Sequence, residues 1–209
     1  MYELLTPAVG IFLTQASPGQ NMTAVMSIAF GSGRKAGVIA ATGIALGVFV
    51  WSVIFWIGFG AFLETYPEAL NSIKLLGGGY VFFLGIKALA ISMSPAGTKI
   101  YATKRAATGS RAFRTGLLVA MTNPNTALLW AVVSMFVASA NFSEGILLII
   151  GVFMSISAII IYSVYAIMFS TDYMTRAYGR LFRYIEAAFG LFLGAIGWKL
   201  MTDVLNAFR

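Results

Sequence analysis

Cysteine and histidine are both absent from this sequence of 209 residues. Without cysteine there are no disulfides, no thiol redox chemistry and no thiolate metal sites. Without histidine the chain lacks the commonest ligand of transition metals and the usual proton shuttle of enzymes. Only seven acidic residues are left to bind a cation, and they are scattered. The sequence therefore predicts no metal site, no cofactor and no enzyme.

Charged residues of either sign are also few. They make up 10% of the chain, and hydrophobic residues make up 59%, whereas soluble domains carry about 25% charged residues. A water-soluble core cannot absorb this much apolar surface, so we expect an integral membrane protein. The formal net charge is +7, but the basic residues lie between apolar runs. The positive-inside rule explains that placement better than nucleic-acid binding does, and no nucleic-acid partner is expected.

The apolar residues form six runs, each long enough to cross about 30 Å of hydrocarbon as a helix. The runs cover residues 4–30, 38–63, 73–93, 115–139, 145–170 and 185–205. They lack the alternating pattern of barrel strands, so the predicted fold class is all-α integral membrane with six transmembrane helices. The opening residues lack the basic region of a cleavable signal peptide, which predicts that the first run is a retained span.

The connections between these runs alternate in charge. The connections at 31–37, 94–114 and 171–184 are basic, whereas those at 64–72 and 141–144 carry acids and no base. The positive-inside rule makes the basic connections cytoplasmic, which places both termini outside, in the periplasm of a bacterium. We expect the basic residues to set topology, with anionic membrane lipids as an additional contact.

The long basic connection divides the chain into two halves of three spans. The predicted units are a first repeat at 1–93, a cytoplasmic linker at 94–114 and a second repeat at 115–209. Because each half has an odd number of spans, related halves must have inverted topology. Three matches occur in the same order in both halves: SPGQN with TNPNT, Gly37 and Gly43 with Gly145 and Gly151, and GGYVFFLGIKAL (78–89) with GLFLGAIGWKLM (190–201).

A proline interrupts the first span of each predicted half, Pro18 in one and Pro124 in the other. Proline frees backbone carbonyls, and Gly19 permits the backbone to leave helical geometry. Paired interruptions in an inverted repeat indicate a transport site, because freed groups at membrane depth must meet protein, water or a ligand. The alternative is that the prolines only kink packed helices. The predicted substrate-binding residues are Gln15, Ser17, Pro18, Gly19, Gln20, Asn21, Thr122, Asn123, Pro124 and Asn125, with Thr126 as a further contact.

Ionisable residues are nearly absent from the middle of the runs. We interpret Glu186 as an acid at a helix N-terminus, with a role as a proton site as the alternative. Lys87 and Lys199 are expected near helix ends, where their ammonium groups reach the interface. The predicted site is then neutral and lined by amides, which favours a zwitterion with a small or apolar side chain over lysine or arginine.

Hydroxyl groups and small residues inside the runs have simpler explanations. Tyr162 and Tyr165 are expected to form hydrogen bonds between helices, with closure over a ligand as the alternative. The pairs Gly43/Gly47 and Gly190/Gly194 let helices approach closely, either within one chain or between the copies of a homo-oligomer.

At these motifs the chain resembles the lysine exporter (LysE/RhtB-type) family of bacterial amino-acid exporters. That family has Pro-Gly-Pro-Asn in its first span, where this chain has Pro18-Gly19-Gln20-Asn21, and Asn-Pro-Lys in its fourth span, where this chain has Asn123-Pro124-Asn125. The stretch GGGYVFFLGIKAL (77–89) is similar to the family's third span. The resemblance covers essentially the whole chain. Gln20 and Asn125 are its two departures, one making the first interruption more polar and the other removing a cation from the second.

The resemblance implies a secondary active exporter of amino acids or their derivatives across the bacterial inner membrane. It also implies alternating access, with protons as the coupling ion, and it carries family roles onto Pro18, Gly19, Asn21, Asn123 and Pro124. Two other functions stay open on the residues alone. One is a carrier for another small metabolite, and the other is a membrane adaptor that transports nothing.

Overall fold

The computed structural model describes residues 12, 14–65, 69–94, 109–139, 143 and 145–207. No strand occurs in these ranges, and residues 14–16 are a short helical segment. The longer helices are α1 (Gln20–Ser32), α2 (Arg34–Thr65), α3 (Ala69–Met93), α4 (Gly109–Thr122), α5 (Pro124–Ser139), α6 (Ile146–Met168) and α7 (Asp172–Ala207).

Four of these helices are long and apolar enough to cross a membrane. The four segments are Arg34–Gly58, Leu75–Met93, Ile146–Met168 and Asp172–Asp203. The pair Gly109–Thr122 and Pro124–Met135, bent by 57°, forms a fifth candidate span. The prediction of an all-helical, multi-pass membrane protein is thus confirmed. The first predicted span, 4–30, lies partly outside the described residues, and the count of six spans stays a prediction.

Four helices begin earlier than the apolar runs predict. The first residues are Arg34 of α2, Ala69 of α3, Gly109 of α4 and Asp172 of α7, so each helix takes in residues expected in a connection. Hydrophobicity locates the part of a helix that crosses hydrocarbon, but intrahelical hydrogen bonds continue beyond it, because they need no apolar solvent. Of the predicted linker, 95–108 lies outside the described residues, whereas 109–114 is helical.

Helix α2 packs closely against two others because glycines remove the side chains between them. A Cβ atom at Gly43 would overlap the Phe113 carbonyl oxygen of α4, and one at Gly116 of α4 would overlap the Ala40 carbonyl oxygen. On another face Gly151 of α6 lies against α2. Helix backbones approach this closely only where side chains are small. Gly43 therefore serves packing within one chain.

Helices α3 and α7 pack antiparallel, and glycines again mediate the contact. In order along the pair, the closest approaches join Gly78 with Met201, Phe82 with Gly197, Gly85 with Gly194 and Leu89 with Gly190. When 78–89 is aligned with 190–201, each contact is equivalent to another one. The contact of Gly78 with Met201 corresponds to that of Leu89 with Gly190, and the two middle contacts correspond to each other in the same way. The sequence match therefore coincides with a local pseudo-two-fold relation between these two helices. The relation between the whole halves stays a prediction.

The basic N-terminal segments of α2, α4 and α7 lie at one end of the bundle. Helix α1 ends at Ser32 and is followed by its C-cap residue Gly33, whose φ of 85° lies in the region that favours glycine; α2 begins at the next residue. Gly37, near the start of α2, packs against Ala166, near the end of α6, and α7 begins four residues after Met168. The start of α4 lies beside α2 through Phe113. The basic residues of these N-terminal segments, which extend to the fourth turn of α7, are Arg34, Lys35, Arg111, Arg114, Arg176, Arg180 and Arg183.

Candidate functional site

Both predicted interruptions are real breaks in the helical backbone. Residues 17–19 are non-helical between the segment at 14–16 and α1, whereas Asn123 alone separates α4 from α5. Proline explains the positions, because it has no N–H group to continue a helical ladder. Pro124 is the first residue of α5, where the missing N–H group would have had no helical partner in any case.

The carbonyls freed at the first break are bound by tyrosines of α6. The hydroxyl of Tyr162 donates to the Gln15 carbonyl oxygen at 3.0 Å, and that of Tyr165 donates to the Ala16 carbonyl oxygen at 2.8 Å. Backbone acceptors at membrane depth must be satisfied internally, and here a neighbouring helix satisfies them. This confirms the interpretation of both tyrosines as hydrogen-bonding residues between helices.

The side chain of Gln15 is engaged by the same helix. Its Nε2 atom donates to the Met154 carbonyl oxygen at 2.8 Å, and its Oε1 atom accepts from the Ser157 hydroxyl at 2.6 Å. Gln15 is buried. Both the nitrogen and the oxygen of its amide therefore form hydrogen bonds to α6, and these bonds hold the first break against that helix.

Side-chain amides connect the two breaks directly. The Nδ2 atom of Asn123 donates to Oδ1 of Asn21 at 3.1 Å, across 102 residues of sequence. The Nδ2 atom of Asn21 lies 3.4 Å from Oγ1 of Thr126 and 3.5 Å from the hydroxyl of Tyr162. Asn125 accepts from the hydroxyl of Tyr80 at 2.6 Å, which brings α3 to the same place.

The two helix N-termini at the breaks differ in how they are capped. Asn123 caps α5, because its Oδ1 atom accepts from the backbone N–H of Asn125 at 3.0 Å. Helix α1 begins after Gly19, which has no side chain to cap it. Both N-termini carry the positive end of a helix dipole, and the N-cap residue of α1 provides no side-chain acceptor.

A cavity of about 220 Å³ lies where the breaks meet. Its lining includes Gln15, Ser17, Pro18, Gly19, Gln20, Asn21, Asn123, Pro124, Asn125 and Thr126. All but one of the predicted site residues are thus brought together around one space, and their role as substrate contacts stays a prediction. Thr122 is the exception. It is exposed, and its hydroxyl donates to the Leu118 carbonyl oxygen of its own helix at 2.8 Å, as threonines in helices commonly do.

Two charged residues line this cavity, contrary to the expectation of a neutral site. Glu186 is 4% exposed and belongs to α7, which begins at Asp172, so its interpretation as an acid at a helix N-terminus is wrong. Lys87 lies six residues before α3 ends at Met93, and it is exposed, but it also lines the cavity. One sequence signal could have indicated both residues: a charged residue within an apolar run is costly in a membrane unless it is paired or faces a functional cavity.

Most of the remaining lining is apolar and was not predicted, and Thr14 and Tyr162 add two hydroxyl groups. Besides Lys87, helix α3 contributes Leu84, Ala88 and Ile91, and other helices contribute Met22, Val48, Leu129, Met154 and Leu193. Trp130 lies against the cavity, fully buried, and its Nε1 atom has no hydrogen-bond partner in the described part of the chain. The cavity therefore combines the polar groups of the breaks with apolar side chains from several helices, of which α3 contributes three.

Comparison with known proteins supplies the family. A sequence model of the LysE type translocators matches residues 12–204. The chain belongs to the LysE type translocator family. This confirms the resemblance inferred from the motifs, and the family is one of translocators rather than of enzymes.

Individual relatives agree with this assignment. The chain is 26% identical to the uncharacterized membrane protein YahN of Escherichia coli (strain K12) over 196 residues, 93% of this chain and 87% of that protein. It is 37% identical over 84 residues to a leucine efflux protein of Enterobacter sp. (strain 638), 40% of each chain. It is 30% identical over 132 residues to a leucine efflux protein of Salmonella choleraesuis (strain SC-B67), 63% of this chain and 60% of that protein. The matches therefore span less than two thirds of either leucine efflux protein. No solved structure matches this chain.

Proposed function

We propose that this protein exports amino acids across the bacterial inner membrane by alternating access around the cavity between the two helix breaks. The observation that carries the proposal is the junction of those breaks, where Asn21 and Asn123 are hydrogen-bonded over a cavity. Broken helices that meet at one space are a common way to expose backbone dipoles to a transported solute.

The cavity suits an amino acid in charge, polarity and size. The N-termini of α1 and α5 present positive dipole ends that attract a carboxylate. Leu84, Ile91 and Leu129 offer an apolar wall for an aliphatic side chain. The volume of about 220 Å³ is below the range of about 300–1,000 Å³ typical of larger ligands. Because two relatives are named leucine efflux proteins, L-leucine is the first substrate to test.

We also propose that residues 1–93 and 115–209 are an inverted 3+3 repeat and that transport rocks one half against the other. Each half would contribute one broken helix to the cavity. The reciprocal glycine contacts between α3 and α7 support this arrangement, because they give the third and sixth spans equivalent surfaces. Movement around such a pseudo-symmetry axis would expose the cavity to each side in turn.

The proposed orientation in the membrane follows from the charge distribution. The basic helix starts lie at one end of the bundle, which the positive-inside rule assigns to the cytoplasm. Both termini would then be periplasmic. Protons are the proposed coupling ion, because Glu186 provides a carboxylate inside the cavity that can exchange a proton.

The test is efflux from proteoliposomes preloaded with labelled amino acids, with and without an acidic exterior. The wild type is compared with Asn21→Ala, Asn123→Ala and the matched control Thr115→Ala, whose exposed hydroxyl bonds only to its own helix. We expect efflux of leucine-like amino acids stimulated by the pH gradient, about tenfold or more weaker in both asparagine variants, and unchanged in the control.

Two results would contradict the proposal. Folded wild-type protein that releases no amino acid would indicate a carrier for another metabolite or an adaptor. Efflux that is unaffected by either asparagine variant would remove the junction of the breaks from the transport path.

A further inference from the structure

We propose that Glu186 and Lys87 bind the two charged groups of the transported amino acid. Glu186 would bind the ammonium group in exchange for a proton, and Lys87 would bind the carboxylate. This inference rests on the proposed function, since it names the residues by which the same cavity would recognise a zwitterion and couple its movement to protons.

Burial of the Glu186 carboxylate costs free energy when no cationic ligand is bound. Its side chain is 4% exposed and faces the cavity, and the described residues give it neither a hydrogen bond nor an ion pair. Charged side chains within membrane spans are normally paired or face a functional cavity. A carboxylate held in this way is suited to receive an ammonium group, and it is suited to hold a proton when that group is absent.

Lys87 provides the opposite charge at the same cavity. It comes from α3, whereas Glu186 comes from α7, and no ion pair joins them. Glu186 is buried whereas Lys87 is exposed, so the two charges lie in different surroundings. Because they are not in direct contact, a ligand that carries both charges, as an amino acid does, could bind both residues.

Few other titratable or charged groups surround Glu186. Tyr162 of α6 lines the same cavity, and Tyr178 lies two turns before Glu186 in α7. Arg183, one turn before Glu186, donates from Nε to the Ser92 carbonyl oxygen at 2.9 Å. Helices α1 and α5 bring only uncharged groups to the cavity. Among the lining residues Glu186 is therefore the single acid, and a proton and an ammonium group would compete for it.

This competition gives a balanced transport cycle. With the cavity open to the cytoplasm, the ammonium group of the amino acid binds Glu186 and displaces its proton to the cytoplasm. With the cavity open to the periplasm, the amino acid leaves and Glu186 takes up a proton from that side. Return of the protonated carrier completes the cycle, so one proton enters for each amino acid that leaves.

The first experiment measures L-leucine binding to the purified full-length protein in nanodiscs, together with proton release into a weakly buffered solution. For the wild type we expect about one proton released per leucine bound under acidic conditions, and weaker binding as the pH falls. Glu186→Gln should bind about tenfold or more weakly, with no proton release and no dependence on pH. Glu186→Asp should restore proton release. Asp172→Asn, which changes the exposed acid at the start of the same helix, should match the wild type.

The second measurement assigns the two charges with leucine analogues. Leucinamide lacks the carboxylate, and N-acetylleucine lacks the ammonium group. The wild type should prefer leucine to both. Lys87→Gln should lose the preference over leucinamide, whereas Glu186→Gln should lose the preference over N-acetylleucine. A purely structural role for either residue would weaken all three ligands together, which would overturn the assignment.

The outcomes separate the inference from the proposed function. If the folded wild type binds no amino acid, the proposed function fails. If the wild type binds leucine but Glu186→Gln releases protons as the wild type does, only the inference fails. If Glu186→Gln does not fold, the test uses the wild type and the Glu186→Asp variant, together with the analogue preferences of the wild type. Absence of proton release from both the wild type and Glu186→Asp would overturn the inference.

Discussion

The two helix breaks at the cavity are satisfied by different means. The first spans residues 17–19, has no side-chain cap, and has its carbonyls bound by Tyr162 and Tyr165 of α6. The second is one residue long, and Asn123 caps the following helix with its own side chain. A local cap is available in any arrangement of the bundle, whereas bonds from another helix depend on packing. We therefore expect the second break to be the more rigid, and the first to follow α6 in any rearrangement.

The largest effect is expected where the first break depends on α6. Changing Tyr162→Phe and Tyr165→Phe together leaves two backbone carbonyls without donors, at about 1–3 kcal/mol each where they are buried. The measurement is unfolding of the purified protein in detergent. Tyr184→Phe is the matched control, because this tyrosine is 75% exposed, and it should change stability by less than about 0.5 kcal/mol. A double variant as stable as the control would show that the first break needs no help from α6.

A smaller effect is expected at the second break, where Asn123 has two roles that can be separated. Asn123→Ser keeps a side chain that caps helices and loses the amide donor to Asn21, whereas Asn123→Ala loses both. We expect the serine variant to retain the cap contribution of about 1 kcal/mol that the alanine variant loses. Unfolding experiments in the wild-type and Asn21→Ala backgrounds measure the contribution of the bond between the asparagines. Equal stability of the two Asn123 variants would contradict the capping role.

Pro124→Ala should have a smaller effect still. Proline at the first position of a helix breaks no backbone hydrogen bond, so its contribution comes mainly from restricting the unfolded chain, about 0.4–1 kcal/mol. The bend between α4 and α5 should persist, because the bond from Asn123 to Asn21 is unchanged. Distance measurement between spin labels on α4 and α5 tests this. A straightened helix would mean that proline, rather than the asparagine pair, holds the bend.

The smallest effect is expected for Gly19→Ala. Gly19 has φ −158° and ψ −170°, an extended conformation open to any residue, and a new Cβ would come no closer than 3.8 Å to the Ser17 carbonyl oxygen. Stability should change by less than about 0.5 kcal/mol. Gly33→Ala is the contrasting variant, since its φ of 85° and ψ of 165° are suited to glycine, and should cost about 1–3 kcal/mol. Equal losses at both positions would show that Gly19 is needed for its conformation, as the sequence suggested.

The membrane class, the positions of both breaks and the family were predictable from the sequence. An apolar run indicates that a helix is surrounded by lipid, and prolines such as Pro18 and Pro124 act on the backbone next to them. Both signals are local, because they depend only on residues that are close in sequence. Asn21 and Asn123 were identified for the same reason, since amides beside a proline in an apolar run are costly unless they have partners.

The direction in which each side chain points depends on packing between helices that are distant in sequence. Thr122 is adjacent to Asn123 yet bonds to its own helix, and Glu186 of α7 shares a cavity with Lys87 of α3. The tyrosine partners of the first break lie 147 and 149 residues beyond the carbonyls they bind. No local pattern encodes such pairings, because the face a helix turns to its neighbours is chosen by glycine-mediated contacts between whole helices. The sequence therefore determined that the chain is a membrane protein and where its helices break, and the packing of the helices determined which charged residues line the same cavity.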